Sequence, residues 1–379
     1  TLVSVPLPDG VKNEALLPFL WDLSRLSLVP EDVVSYYIEV FDNDNVSGPK
    51  SVKSEVYTLR LPSLEEVFAD LDKGHDVSLE NMKEALKDAQ EAKKELDELQ
   101  QQMKKNPQKM DWQEQKKAEE VARKYQEIQK KMEEVNKTVE KMVEQMQKNQ
   151  VLSKETLEKY QELQQMMEQM NSPEFAEAMK KMQQAMQQLN PEQMKQALQN
   201  FQFSEENFRK SIERTMNLLK RIQIEQKLDE AVKRSEQLMK QQEELAKKTE
   251  QTNPEDRQRL NELAQQQKDL QKQLEQLQKE LADLQKKMEE FPTEMPLDEM
   301  EQAQQQLEQS QLEHQMQQIA QQMQQQQLQQ AMNGQKQAMQ KMGQFMQQMR
   351  QVQKAMQQNQ KRQIVNEMRR SVQDLLELS

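Results

Sequence analysis

Between Leu260 and Met288, apolar residues recur at alternating intervals of three and four: Leu260, Leu263, Leu270, Leu274, Leu277, Leu281, Leu284 and Met288, interrupted only at Gln267. This is the a/d seam of a coiled coil. Its apolar stripe is too narrow for the helix to stand alone in water, so a second helix must cover it. A chain carrying such a segment folds by pairing helices, and its other parts show how far that constraint extends.

Composition extends it over most of the length. The 379 residues are 35% hydrophobic, 4% aromatic and 31% charged, with a mean hydropathy of -1.09. A chain this long ordinarily holds two or three globular cores, and the apolar content is too small for that. Narrow helix–helix seams fit it. Five glycines argue against a turn-rich all-β fold. Disorder is disfavoured because the residues standing in for aromatics are Gln, Met, Leu, Glu, Lys and Ala, all good helix formers.

Charge and cysteine content narrow the function classes. A net charge of -12 disfavours nucleic acid as a partner. One stretch departs from this: Lys341, Arg350, Lys354, Lys361, Arg362, Arg369 and Arg370 face only Glu367. It reads as a solvated helix face in preference to a contact for anionic lipid or another polyanion. With no cysteine there is no disulfide framework. No apolar run approaches the ~20 residues of a membrane span, and no signal peptide precedes Thr1, so the chain reads as soluble.

Residues 1–62 differ from the rest. Three segments have strand character: Glu14–Leu20, Asp32–Phe41 and Glu55–Leu61, separated by turn formers at Pro8-Asp9-Gly10, Pro30-Glu31-Asp32 and Asp42–Pro49. In the second, Val34, Tyr36, Ile38 and Val40 alternate with polar positions and would face a sheet–sheet core. Three or four strands are too few for a complete immunoglobulin-type sandwich, so this is read as a partial one. Tyr36 or Tyr37 is either its corner tyrosine or, in the plainer reading, a core or rim aromatic.

From Pro62 the period changes to about three and a half. Ser63 and Glu66 form a capping box. Helix breaks are expected at Gly74-His75 (with Ser78 capping the next helix), Asn106-Pro107, Ser153/Thr156, Ser172-Pro173, Asn190-Pro191, Ser204, Asn253-Pro254, Pro292/Pro296 and Asn333-Gly334. The expected organisation is a β-module at 1–62, helical segments with Pro/Asn breaks at 63–203, an antiparallel coiled-coil hairpin at 204–291, and Gln/Met-rich helices at 292–379. The fold class is thus mainly α, with long antiparallel helical hairpins following the partial β-module.

The hairpin is the most explicit expectation. Its arms run 205–251 and 255–290, joined at Thr252-Asn253-Pro254. Reversal at Asn253 sets residues whose numbers sum to about 502–505 opposite one another. Ile212 then faces Phe291, Leu219 faces Leu284, Ile222 faces Leu281 and Val232 faces Leu270. The seam is assigned to Ile212, Leu219, Ile222, Leu228, Val232, Leu270, Leu274, Leu277, Leu281 and Leu284.

Residues with ligand chemistry are few. Asp42-Asn43-Asp44-Asn45 offers hard oxygens for calcium but lacks a following bidentate Glu, and Asx residues suit a hairpin loop anyway. Three methionine groups stand at one-turn spacing: Met166, Met167 and Met170; Met179, Met182 and Met186; Met339, Met342, Met346 and Met349. They fill helix seams in the favoured reading; a groove for apolar peptides, or a Cu(I) site, is the alternative. His75 follows Gly74 at an expected helix end, where a cation suits the dipole, and His314 sits among Gln on an exposed face. No GxGxxG, P-loop, HExxH, GxSxG or CxxC motif occurs, so no catalytic, cofactor or metal residue is assigned.

Tyr37–Lys50 (YIEVFDNDNVSGPK) and Ser54–Glu66 (SEVYTLRLPSLEE), followed by the Gln/Met-rich helical remainder, resemble the bacterial family named only as domain of unknown function 4175. The resemblance implies a periplasm-facing part of an envelope protein, with transmembrane helices and immunoglobulin-like modules upstream. It brings no catalytic residues. The expected function is a non-enzymatic structural or scaffolding role, through self-association or protein partners at apolar helix seams, with the membrane reached only by upstream segments. A chaperone-like module with Met-rich grooves is the alternative.

Overall fold

The computed structural model describes residues 3–5, 17–23, 26, 32–42, 44, 46, 48–105, 112–149, 152–170, 173–188 and 191–377. The fold is mainly α, with a small β region of four short strands. The chain divides into two units, Thr1–Asp70 and Leu71–Ser379, and the division falls inside the first helix.

In the first unit, β1 (Val33–Tyr36) pairs antiparallel with β4 (Tyr57–Arg60), and β2 (Glu39–Phe41) with β3 (Ser51–Lys53). The expected continuous strand is broken at Tyr37-Ile38. There Ser54 accepts from the Ile38 N–H at 2.9 Å through its hydroxyl and donates its own N–H to the Ile38 carbonyl at 2.8 Å. The interruption slips the alternation by one residue. Val34 and Tyr36 are half-buried as expected, but Ile38 and Val40 are 59% and 56% exposed and Glu39 takes the inner side. The two ladders are separate two-stranded sheets, and none of their residues is fully buried. Tyr36 is a plain packing aromatic, edge-on to Trp21 at 5.3 Å and beside Tyr57 at 5.5 Å. Leu17–Leu20 form no strand, and residues 14–16 of that expectation lie outside the described residues.

The capping box starts α1 (Leu64–Lys105) as the sequence dictates. The Ser63 N–H donates to Glu66 at 2.9 Å, and the Glu66 N–H to the Ser63 hydroxyl at 3.1 Å. After it come α2 (Trp112–Asn149), α3 (Lys154–Met170), α4 (Pro173–Gln188), α5 (Pro191–Glu250), α6 (Arg257–Met288), α7 (Leu297–Gln309), α8 (Leu312–Gln324) and α9 (Leu328–Glu377).

Three expected breaks are absent; at the two glycines among them, the residue that reads as a stop is needed for packing. At Gly74 a Cβ would lie 2.6 Å from the Met142 sulfur, so this glycine lets α2 approach the middle of α1. At Gly334 a Cβ would lie 2.7 Å from Ile319 Cγ1, which lets α8 approach α9. Ser204 lies inside α5, its hydroxyl donating to the Asn200 carbonyl at 3.2 Å. Two breaks had no Gly or Pro to announce them. Gln311 (φ 50°) separates α7 from α8, and Gln326 (φ 63°) lies between α8 and α9.

α5 is the spine of the helical unit, 60 residues long and so about 90 Å. Its N-terminal half packs with α1 to α4. α1 runs antiparallel to it, His75 meeting Gln226 and Gln100 meeting Gln202. α2 folds back along α1 through Lys124–Glu95 (2.6 Å) and Lys131–Asp88 (2.8 Å). The C-terminal half of α5 packs with α6 and α9, while α8 closes against α6 and α9. Here the chain runs up α5, down α6, up the interrupted α7–α8 and down α9, a four-helix arrangement. Where the two bundles overlap, Ile222 to Val232, nearly every residue of α5 is buried, so α5 has no single solvent face.

The long hairpin forms, in a different register. Gln242 bonds Gln267, Arg234 pairs with Glu280 and Lys220 with Glu290. Val232 therefore lies opposite the Leu277 turn, not opposite Leu270; the pairings of Ile212 with Phe291, Leu219 with Leu284 and Ile222 with Leu281 shift likewise. The cause is local. Asn253 makes an Asx turn to the Glu255 N–H (3.0 Å), and Asp256 caps α6 by accepting from the Arg259 N–H (3.0 Å). The second arm thus begins three residues later than a cap at Asn253 would place it.

Candidate functional site

The chemistry-bearing side chains of the helical unit converge on the overlap segment of α5, Gln223 to Glu230. Glu225, Gln226, Asp229 and Glu230 are each at most 5% exposed. Carboxylates this deep persist only when paired or hydrogen-bonded. Asp229 accepts from the Ser153 N–H and the Thr156 hydroxyl of α3, both at 2.9 Å, and from Gln353 of α9 at 2.5 Å. Glu225 accepts from Lys159 of α3 and from Gln360 of α9. Lys227 joins Asp72 of α1 and Glu230, and Arg234 joins Glu230 (2.7 Å) to Glu280 of α6 (3.1 Å). Burial pushes the carboxyl pKa values of Asp72, Glu225 and Asp229 up.

His75 is part of this hub, and its expected place at a helix end is incorrect. α1 continues through it because Gly74 is a packing residue. The imidazole is fully buried, its Nε2 bonded to Gln226 (2.7 Å) and to the Tyr160 hydroxyl, which also donates to Gln226 (2.9 Å). Burial, with Lys287 and Lys227 nearby, lowers the imidazole pKa to about 3, so it is neutral at physiological pH. Ser78, expected as a cap, is buried one turn further along α1. His75 Nδ1, Gln226 Nε2, Asp72 Oδ1 and Ser78 Oγ have no hydrogen-bond partner among the described residues.

A second polar layer answers the interruption in the Leu260–Met288 seam. Gln267 and Gln242 exchange two hydrogen bonds, at 2.9 and 2.7 Å, and Gln335 of α9 donates to Gln267 (3.4 Å) and to the Thr249 hydroxyl (3.3 Å). All four residues are fully buried. A further buried carboxylate, Glu205, lies in a cluster of Tyr125, Phe175, Phe201 and Phe208, where Phe175 and Phe208 stack at 4.4 Å. Burial raises its pKa.

The ten seam residues are all buried. Leu228, Val232, Leu270, Leu274, Leu277, Leu281 and Leu284 share one cluster extending to α9. Of the methionine groups, Met167, Met170, Met179, Met182, Met342 and Met349 are buried and Met166, Met339 and Met346 half-buried; the Met186 side chain lies outside the described residues. No described methionine is exposed. Met342 and Met349 belong to the internal core, so this stripe is not an external seam.

The remaining candidates resolve into local structure. Asp42 accepts from the Lys50 N–H (2.8 Å) and the Asp44 N–H (3.3 Å), and Asp44 from the Val46 N–H (2.9 Å), which occupies these oxygens as turn acceptors. Asn43 and Asn45 lie outside the described residues. His314 is exposed and bonds Gln318 at 3.0 Å. A cleft of about 300 Å³ between α1, α5 and α6 is lined by Asp76, Glu80, Glu290 and by Lys83, Lys220, Lys287. Its charges neutralise one another, Lys220 pairing with Glu290 at 2.7 Å. In the basic stretch, Lys341 is held by the Ser310 carbonyl and Gln315, and Arg350 by Glu236.

No protein-family model, curated protein or solved structure matches this chain. No helix of the described residues is long and apolar enough to cross a membrane.

Sequence reasoning missed the hub because Gln223–Glu230 reads as an exposed polar turn. One signal was present: Ile222, Ile224, Leu228, Ala231 and Val232 do not share one stripe, as they would on a helix with a single buried face.

Proposed function

We propose that the chain is a non-enzymatic scaffolding segment, carried by a bacterial envelope protein and facing the periplasm as its resemblance implies. Its work is to hold a long helical unit in one register and to present surfaces for assembly with itself or a protein partner. The observation that carries this reading is where the specific polar chemistry lies: in closed seams between helices, joining α1, α3, α6 and α9 to one spine. Buried polar layers of this kind select a pairing at some cost in stability, as a single buried Asn does in coiled coils.

Assembly through leftover helix seams finds little support, because large apolar residues exposed on the helical unit reduce, among those described, to Val77, Trp112 and Val365. Ile38, Val40, Phe41, Val52 and Val56 of the β region are exposed instead, and we assign association to them. The chaperone-like alternative needs accessible methionine, and the described methionines lie within the seams. Sedimentation equilibrium across protein concentration separates the readings. Ile38→Ser with Val52→Ser should weaken association, whereas Met342→Gln should lower stability and leave association unchanged. A chain that stays monomeric yet captures an unfolded client would sink the scaffold reading.

A further inference from the structure

We infer that Asp229 and Glu225 couple the two helical bundles: each carboxylate holds α3 and α9 at once, so the docking of either helix on α5 depends on the other. The two residues stand four apart on α5 and share a face. α3 belongs to the bundle on the N-terminal half of α5, and α9 to the bundle on its C-terminal half. Gln353 of α9 fixes Asp229 Oδ1, which directs Oδ2 at two donors at the start of α3, the N–H of Ser153 just before it and the Thr156 hydroxyl in its first turn. In Glu225 one oxygen, Oε1, accepts from both Lys159 of α3 and Gln360 of α9.

Burial makes this a coupling and not two independent contacts. At 5% exposure neither carboxylate can turn to water when a donor leaves. Without Gln353, Asp229 is free to rotate and its bonds to α3 weaken. The Ser153 N–H has Asp229 Oδ2 as its acceptor at 2.9 Å, and the Ser153 hydroxyl in turn accepts from the Thr156 N–H at 3.2 Å. α3 is the two-state element this requires. With 17 residues it is marginal as a helix away from α5, so loss of docking is loss of the helix. Coupling free energies are reciprocal, so the factor transmitted from α9 to α3 equals that from α3 to α9.

Amide hydrogen exchange by mass spectrometry on the full chain tests this with substitutions on the side opposite the readout. Gln353→Leu alters no residue of α3, yet exchange across Lys154–Met170 should rise at least about fivefold. Thr156→Val should raise exchange in α9 around residues 350–360 by a similar factor, and Gln360→Leu should repeat the first result through Glu225. Arg350→Gln is the control: it breaks an α9–α5 pair with Glu236 that does not touch α3, and should leave α3 unchanged. Faster exchange confined to the substituted helix overturns the coupling. So does an Arg350→Gln variant that opens α3 as far as Gln353→Leu does.

Discussion

His75 shows how a single residue's chemistry follows from its surroundings. Held neutral between Tyr160 and Gln226, it binds fewer protons in the folded state than in the unfolded one over the range from about 3 to its ordinary 6.5. Stability on its account is therefore complete above 6.5 and falls as pH drops through that window. Asp72, Glu225 and Asp229 act in the opposite sense. Their pKa values are raised in the folded state, so their contribution grows as pH falls through them. The His75 part is isolated by comparison with His75→Gln. Between pH 7 and 4.5, urea denaturation should show wild type losing on the order of 2 kcal/mol relative to the variant. Parallel pH profiles would contradict the buried, neutral assignment.

Among the elements, glycines decide how closely helices meet. Gly334→Ala would push a methyl to 2.7 Å from Ile319 and should cost about 1–3 kcal/mol, whereas Gly343, with nothing within 4 Å, should gain about 0.4–1 kcal/mol as alanine. Thermal melts of the two variants should move in opposite directions; equal shifts would mean α8 does not approach α9 at Gly334. Elements set by adjacent residues were legible in the sequence. Ser63 with Glu66, Ser153 with Thr156, and proline at the starts of α4 and α5 each act within one turn. The Leu260–Met288 seam was legible because its period is a local property. Gly74 and Gly334 were misread because their role is set by Met142 and Ile319, distant in sequence. The same distance hid the partners of Gln267 and the whole Gln223–Glu230 hub. The hairpin register failed on one cap, Asp256 in place of Asn253.

For the helical unit as a whole, the central claim is that a single chain closes its own seams around α5. The Gln242–Gln267–Gln335 layer and the hub carboxylates can specify that closure only if their partners come from the same chain. The most direct test is a pair of engineered disulfides, formed by mild oxidation at low protein concentration and read by mass. Val232→Cys with Leu277→Cys should yield an intrachain bond, because the seam sets those positions opposite each other, and Val232→Cys with Leu270→Cys should not. Interchain disulfides in the first pair, or efficient bonding in the second alone, would contradict the account.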